Sequence, residues 1–121
     1  MTLGKVTDHS GDPPRVWETD SHLPGCAFTR SIGDSVAEAI GVTAEAEIST
    51  HIIEADDRFL VIASDGVWEF LTNEAVVNLV CSFENPLTAC RTLVAESYRL
   101  WMQFDVRSDD ITAFIAYFDR G

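Results

Sequence analysis

The chain has 121 residues, enough for one compact domain. Its apolar content of 46% and aromatic content of 10% are typical of a folded protein with a core and exclude a disordered segment. The net charge of −12 argues against nucleic acid and anionic membrane surfaces as partners. A surplus of carboxylates either solubilises a surface or supplies the oxygen ligands that hard divalent cations require.

The cysteines and the absence of long apolar runs indicate a cellular compartment. Three cysteines without C-x-x-C spacing predict neither a disulfide framework nor a zinc site, and they fit a reducing environment. No apolar run approaches the roughly 20 residues that cross a bilayer, and the N-terminus lacks the apolar core of a signal peptide. We therefore expect a soluble intracellular protein, cytoplasmic or nuclear.

The first forty residues contain few periodic elements. Residues 1–14 are polar, with glycine and proline, and are predicted to be a tail or connecting loop that precedes a domain over residues 15–121. The segment Ser35–Ile40 predicts one or two helical turns. Asp34 or the following serine would cap this helix, and the glycine after it would end it.

Two predicted strands form the centre of the chain, and a third lies near its end. Residues 45–54 are rich in β-branched residues and predict a strand. The polar turn 55–58 leads into Phe59–Ala63, five apolar residues that predict a strand buried on both faces and paired with the first as a hairpin. Ile111–Phe118 predicts another near-continuous apolar strand.

Two helices are predicted between these strands. Thr72 or Asn73 caps a short helix that runs to Val80, and Asn85 opens a longer helix with Pro86 at its first position. Apolar residues at spacings of three and four predict one buried stripe on the longer helix: Leu87, Cys90, Val94, Tyr98 and Trp101. The pattern predicts a mixed α and β protein in which helices cover a sheet face.

Carboxylates stand at the ends of two predicted core strands. Asp65 follows the central strand, and Gly66 is expected to bend the chain there through a positive φ. Asp109 and Asp110 precede the last strand. If these strands are antiparallel neighbours, the acids meet and repel unless a cation lies between them, which predicts Mg²⁺ or Mn²⁺. The alternatives are separate surface acids at turns, or a Ca²⁺ module, although no EF-hand spacing occurs.

Three blocks carry a family resemblance: an apolar lead with Thr-Arg-x-x-Gly-Asp, an apolar strand closed by Asp-Gly-x-Trp-Glu, and Ser-Asp-Asp-Ile-Thr. They lie at Pro24–Asp34, Val61–Glu69 and Ser108–Thr112. In this order and spacing they resemble the C-terminal half of the metal-dependent protein Ser/Thr phosphatases of type 2C. The likeness runs from Arg15 to Phe118. It implies an α+β fold, part of a β-sandwich flanked by helices in αββα layers.

The resemblance implies roles for the matched residues. Asp65 and Asp109 fall on ligand positions of the family's two-metal centre, which contains Mg²⁺ or Mn²⁺. Glu69 stands where many members carry an Asp for a third, weaker metal, and Asp110 replaces an Asn, which adds a charge beside the ligands. Asp34 matches an acid that is expected to brace its loop in preference to binding metal.

The implied function is metal-dependent hydrolysis of phosphoserine and phosphothreonine in phosphoprotein substrates, without a cysteine nucleophile. The family's first half supplies a phosphate-binding Arg and a metal-bridging Asp, and this sequence contains neither. Arg30 is expected to pair with local acids instead. We therefore expect a C-terminal portion of a phosphatase domain that is inactive alone and belongs with other domains of a longer parent chain. The alternative is a non-catalytic pseudophosphatase or scaffold of the same fold.

Overall fold

The computed structural model describes residues 5–7, 13–105 and 107–118, which form helices and small antiparallel sheets. The chain divides into two compact units, residues 1–51 and residues 52–121. The predicted α+β class is therefore confirmed.

The first unit contains a three-stranded antiparallel sheet. Its strands, in sheet order, are β1 (Lys5–Thr7), β2 (Arg15–Trp17) and β3 (Pro24–Cys26). Val6 of β1 lies opposite Val16 of β2. The strand β1 therefore lies inside the segment for which the sequence predicted only a tail or loop.

A short helix, α1 (Ser35–Ala39), follows the sheet in the first unit. The Asp34 carboxylate accepts a hydrogen bond from the Ala37 N–H at 3.1 Å, so Asp34 is the predicted N-cap. Ala37 is fully buried and packs with Cys26 and Val42 in a small core. The predicted helix and its cap are confirmed.

The second unit contains a two-stranded antiparallel sheet of β4 (Phe59–Ala63) and β5 (Ala113–Tyr117). Phe59 pairs with Tyr117, and Ala63 pairs with Ala113. The end of β4 therefore lies beside the start of β5, as the sequence analysis required for its carboxylates to approach each other.

A single helical turn, α2 (Asp65–Trp68), follows β4, and two longer helices pack on the sheet. The helix α3 (Asn73–Cys81) is capped by Thr72, and α4 (Pro86–Phe104) is capped by Asn85, as predicted. They bury the core of the second unit: Val67, Val76, Val80, Ala89, Leu93 and Ile115. No helix among the described residues is long and apolar enough to cross a membrane.

The buried face of α4 differs from the predicted stripe. Leu87 and Tyr98 are 57% and 52% exposed, whereas Ala89, Leu93 and Ser97 are almost fully buried. The prediction was wrong for Leu87 and Tyr98 because it followed the large apolar residues, whereas Cys90, Val94 and Trp101 of the predicted stripe are half-buried. The small side chains of Ala89 and Ser97 let the helix approach the core closely. The buried Ser97 hydroxyl donates a hydrogen bond to the Leu93 carbonyl at 2.9 Å.

In the part of the chain that the structure describes, only one face of β4 is covered. Leu60 is 46% exposed and Ile62 is 57% exposed, and Phe114 of β5, opposite Ile62, is also 57% exposed. The prediction of a strand buried on both faces was therefore wrong for this chain. Side chains alternate across a strand, and the helices of the second unit pack on the other face.

Residues 45–54 form no strand, contrary to prediction. Ile48 and Ile52 are 90% and 81% exposed, and β4 pairs with β5, so the predicted hairpin is also absent from the described residues. Branching at Cβ favours extended backbone, but a strand requires a partner, and this segment pairs with none in the part of the chain that the structure describes.

Candidate functional site

Asp65 begins a single helical turn directly after β4. Ser64 has an extended backbone (φ −73°, ψ 169°), and α2 spans Asp65–Trp68. The Glu69 N–H donates to the Asp65 carbonyl at 2.9 Å, and Asp65 itself is exposed. The carboxylate therefore stands at the end of the sheet, on a helix start rather than on the simple turn that the sequence predicted.

Gly66 brings this turn against the loop of the second carboxylate pair. Its φ is not positive, so the predicted reason for glycine was wrong. A Cβ at Gly66 would instead lie 2.5 Å from the Asp110 carbonyl oxygen and 3.1 Å from Ile111 Cγ1. Glycine is required because two backbone segments approach each other closely.

The second pair lies in the loop that precedes β5. The Asp109 carboxylate accepts a hydrogen bond from the Asp110 N–H at 2.7 Å, and the Ser108 hydroxyl donates to the Asp109 carbonyl at 2.9 Å. Both acids are exposed. The loop thus orients the Asp109 side chain through its own backbone.

Hydrogen bonds join the two segments. The Ser64 N–H donates to the Thr112 carbonyl at 2.9 Å, and the Ser64 hydroxyl donates to the Asp110 carbonyl at 3.0 Å. The fold therefore brings the segments of Asp65 and Asp109 together at one end of the β4–β5 sheet. Cation binding by their carboxylates remains a prediction.

Two tryptophans to which the sequence analysis assigned no such role hold the backbone around Asp65. Trp68 Nε1 donates to the Ala63 carbonyl at 3.0 Å, and Trp101 Nε1 donates to the Gly66 carbonyl at 2.8 Å. A partly buried indole N–H normally requires an acceptor. A tryptophan that packs near an Asp-Gly turn is therefore expected to donate to a backbone carbonyl of the turn and to fix its position.

The remaining residues singled out from the sequence have separate positions. Glu69 is exposed and one helical turn after Asp65, so the two side chains lie on the same side of that turn. Asp34 caps α1 in the first unit. Arg30 pairs with Glu47, as predicted.

The donor atoms at the sheet end suit a hard cation. Asp65 and Asp109 provide carboxylate oxygens, which Mg²⁺ and Mn²⁺ prefer, and both residues are open to solvent. Among the described residues no three or more His, Cys, Asp or Glu side chains gather to hold a metal. Two carboxylates would leave most ligand positions of such a cation to water, and cation binding here stays a prediction.

An open cavity of about 350 Å³ adjoins Asp109. Its lining residues are Trp101, Asp105, Arg107, Ser108 and Asp109. The cavity leaves space beside Asp109 for a ligand of small size.

Two of the cysteines behave as core residues. Burial and the nearby charge of Asp34 raise the pKa of Cys26, and Arg15 opposes the shift only in part. Cys90 packs against the second core and donates its thiol to the Ala113 carbonyl at 3.3 Å. The Cys26 thiol is therefore protonated at neutral pH, and Cys90 is the small core residue that the sequence predicted.

Comparison with known families agrees with this arrangement. A family model described as protein phosphatase 2C matches residues 14–100. "Probable protein phosphatase 2C 35" of Arabidopsis thaliana is 49% identical over 115 residues, which cover 95% of this chain and 33% of that protein. "Probable protein phosphatase 2C 52" of the same organism is 36% identical over 121 residues, with coverages of 98% and 26%. The chain thus spans a third or less of the length of these relatives.

A solved structure is also similar. The crystal structure of serine-threonine phosphatase 2C from Toxoplasma gondii superposes with a TM-score of 0.81 at 15% sequence identity. The match covers 98% of this chain and 41% of that one. It confirms the fold that the resemblance implied.

Proposed function

Because this chain belongs to the protein phosphatase 2C family, we propose that it forms the C-terminal portion of a metal-dependent phosphoprotein phosphatase domain. The proposed reaction is hydrolysis of phosphoserine and phosphothreonine in protein substrates. The observation that carries the proposal is the antiparallel pairing of β4 with β5. It supports a shared role for the Asp65 turn and the Asp109–Asp110 loop, which touch at Gly66.

In this proposal Asp65 and Asp109 would hold Mg²⁺ or Mn²⁺. Glu69 would contribute more weakly, and Asp110 would add negative charge beside the ligands. A bound divalent cation supplies a water of lowered pKa and neutralises charge on phosphoryl oxygens. Asp34 is left out of the ligand set because its carboxylate caps α1.

The contribution of this chain is to hold its carboxylates still. The indole bonds to the carbonyls of Ala63 and Gly66 fix the backbone on both sides of Asp65. Catalytic groups must stay within about 0.5 Å of their working positions, which requires such support. The cavity beside Asp109 offers room for a phosphoryl group.

Catalysis is proposed to need more than this chain. Its relatives are about three to four times as long, and the family resemblance assigns the phosphate-binding Arg and the bridging Asp to the preceding half. Loss of one such charge-stabilising group commonly costs on the order of 10²–10³ in rate. We therefore expect little turnover from these 121 residues alone.

A phosphopeptide assay with Mn²⁺ tests the proposal. The chain is assayed alone and after fusion to the first half of a phosphatase 2C relative. We expect activity only in the fusion, with loss in Asp65→Ala and in Asp109→Ala. Asp56→Ala is the matched control, because Asp56 is an exposed acid in the turn that precedes the opposite end of β4. A fusion that stays active without either aspartate would refute the assignment.

A cytoplasmic or nuclear location is part of the same proposal. All three cysteines are free, which suits a reducing compartment. The expected partners are phosphoproteins and other domains of a longer parent chain. The net charge of −12 does not favour nucleic acid or anionic membranes. Imaging of a fluorescent fusion in cells checks the location.

A further inference from the structure

Ser64 immediately precedes Asp65, and three of its hydrogen bonds reach the segment that carries Asp109 and Asp110. Its backbone N–H donates to the Thr112 carbonyl at 2.9 Å. Its hydroxyl donates to the Asp110 carbonyl at 3.0 Å and accepts from the Thr112 N–H at 3.1 Å. One small side chain therefore binds the partner segment at two points.

This hydroxyl does not serve the helix that it precedes. A serine at the N-cap normally accepts a hydrogen bond from an N–H of the first helical turn. Ser64 makes no side-chain cap bond to α2. Its hydroxyl bonds are instead made one step beyond the Ala63–Ala113 pair, where the ladder of β4 and β5 ends.

The backbone of Asp110 links Ser64 to the Asp109 carboxylate. The Asp110 carbonyl accepts from Ser64 and lies against Gly66, where a Cβ would approach it to 2.5 Å. On the same residue, the Asp110 N–H donates to the Asp109 carboxylate at 2.7 Å. The placement of Asp110 therefore sets where the Asp109 side chain is held.

We propose that Ser64 is a positioning residue whose hydroxyl fixes the Asp109 carboxylate relative to Asp65 for shared cation binding. The inference rests on the proposed function, in which these two carboxylates hold Mg²⁺ or Mn²⁺. Ser64 touches neither cation nor substrate in this role. It acts through the Asp110 backbone carbonyl and the Thr112 N–H.

Nuclear magnetic resonance of the isotope-labelled chain tests this role, because bound Mn²⁺ broadens the amide signals of nearby residues. Apparent Kd values are read from the broadening at Asp65 and at Asp109 in wild type, Ser64→Ala, Ser64→Thr and Ser82→Ala. Ser82→Ala is the control, since the Ser82 hydroxyl donates to the Leu79 carbonyl at 2.6 Å at the end of α3.

We expect one common Kd at both positions in wild type and a Kd weakened about tenfold in Ser64→Ala, the scale seen when residues that orient metal ligands are removed. Ser64→Thr keeps the hydroxyl and should restore wild-type binding, and Ser82→Ala should leave binding unchanged. If the hydrogen bonds of the Ser64 hydroxyl serve only stability, Ser64→Ala will lower the urea midpoint of unfolding without changing Kd. That result would overturn the proposal.

If Ser64→Ala does not fold, Ser64→Cys takes its place, because a thiol is a weaker donor than a hydroxyl. A weakened Kd in that variant supports the proposal, and a wild-type Kd overturns it. Failure of the proposed function has a different signature. Wild-type signals at Asp65 and Asp109 that do not respond to Mn²⁺ would overturn the metal site itself, and with it this role of Ser64.

Discussion

Replacing Gly66 with alanine tests the contact on which the candidate site depends. The new Cβ would lie 2.5 Å from the Asp110 carbonyl oxygen, which belongs to backbone and cannot rotate away. At a position of ordinary φ, Gly→Ala normally stabilises by about 0.4–1 kcal/mol, whereas overpacking costs about 1–3 kcal/mol. We expect the clash to win and to lower the free energy of unfolding by about 1–2 kcal/mol, or roughly 4 °C in Tm for each kcal/mol.

Urea unfolding measures the loss, and Gly33→Ala is the control. Gly33 has a φ of +82° and no atom within 4 Å of its Cβ position, so its substitution introduces backbone strain without a clash. The amide signals of Asp110 and Ile111 should shift in Gly66→Ala because their backbone must move. A Gly66→Ala chain as stable as wild type, with both signals in place, would refute the close approach of the two segments.

Three further predictions concern the helix face, one carboxyl and one thiol. Leu93 is fully buried, so Leu93→Ala should lower the free energy of unfolding by about 2–5 kcal/mol. Leu87 is 57% exposed, so Leu87→Ala should lower it by less than about 0.5 kcal/mol. Equal losses in urea unfolding would contradict the buried face of α4. A hydrogen bond from Arg99 lowers the pKa of Glu96 in the folded protein. The interaction therefore stabilises the fold at pH values above the ordinary Glu pKa of about 4.3, and this stabilisation is lost as the pH falls through the lowered pKa of the folded state. Calorimetry should therefore show a Tm difference between wild type and Glu96→Gln at neutral pH that shrinks as the pH falls below the ordinary Glu pKa. Burial raises the pKa of Cys26, so a thiol reagent at neutral pH should modify it more slowly than exposed Cys81, and equal rates would contradict its burial.

The helix starts could be predicted from the sequence because capping is local. The side-chain oxygens of Asp34, Thr72 and Asn85 each bond to a backbone N–H two or three residues later. Both partners of such a hydrogen bond lie within one helical turn of each other in sequence, so the local sequence is sufficient to predict the cap.

Features that depend on distant partners could not be predicted in the same way. Residues 45–54 have strand propensity, but whether they pair is decided elsewhere in the chain, and β4 pairs with a strand about fifty residues away. The buried face of α4 was misplaced because small residues at Ala89 and Ser97 give no hydrophobic signal. Their burial follows from how closely the helix approaches its neighbours.

The candidate site shows the same difference between local features, which the sequence predicts, and contacts between distant residues, which it does not. The family motifs identify Asp65 and Asp109 as residues of interest. They do not show that Gly66 is needed for a backbone approach, or that the Ser64 hydroxyl reaches a residue 46 positions later. Those contacts depend on the register of two strands that are joined through three helices, α2, α3 and α4.

The exposed apolar face of the β4–β5 sheet gives the excess of carboxylates a further role, which is to keep copies of the chain apart in solution. Leu60, Ile62 and Phe114 present apolar surface on a sheet of only two described strands, a surface that favours contact between copies. A net charge of −12 repels those copies, but salt at physiological strength limits the repulsion to a range of about 8 Å. Concentrated salt, or acid that protonates the carboxylates, removes this barrier. We therefore expect the chain to stay monodisperse at low ionic strength and neutral pH and to associate when either condition is lost.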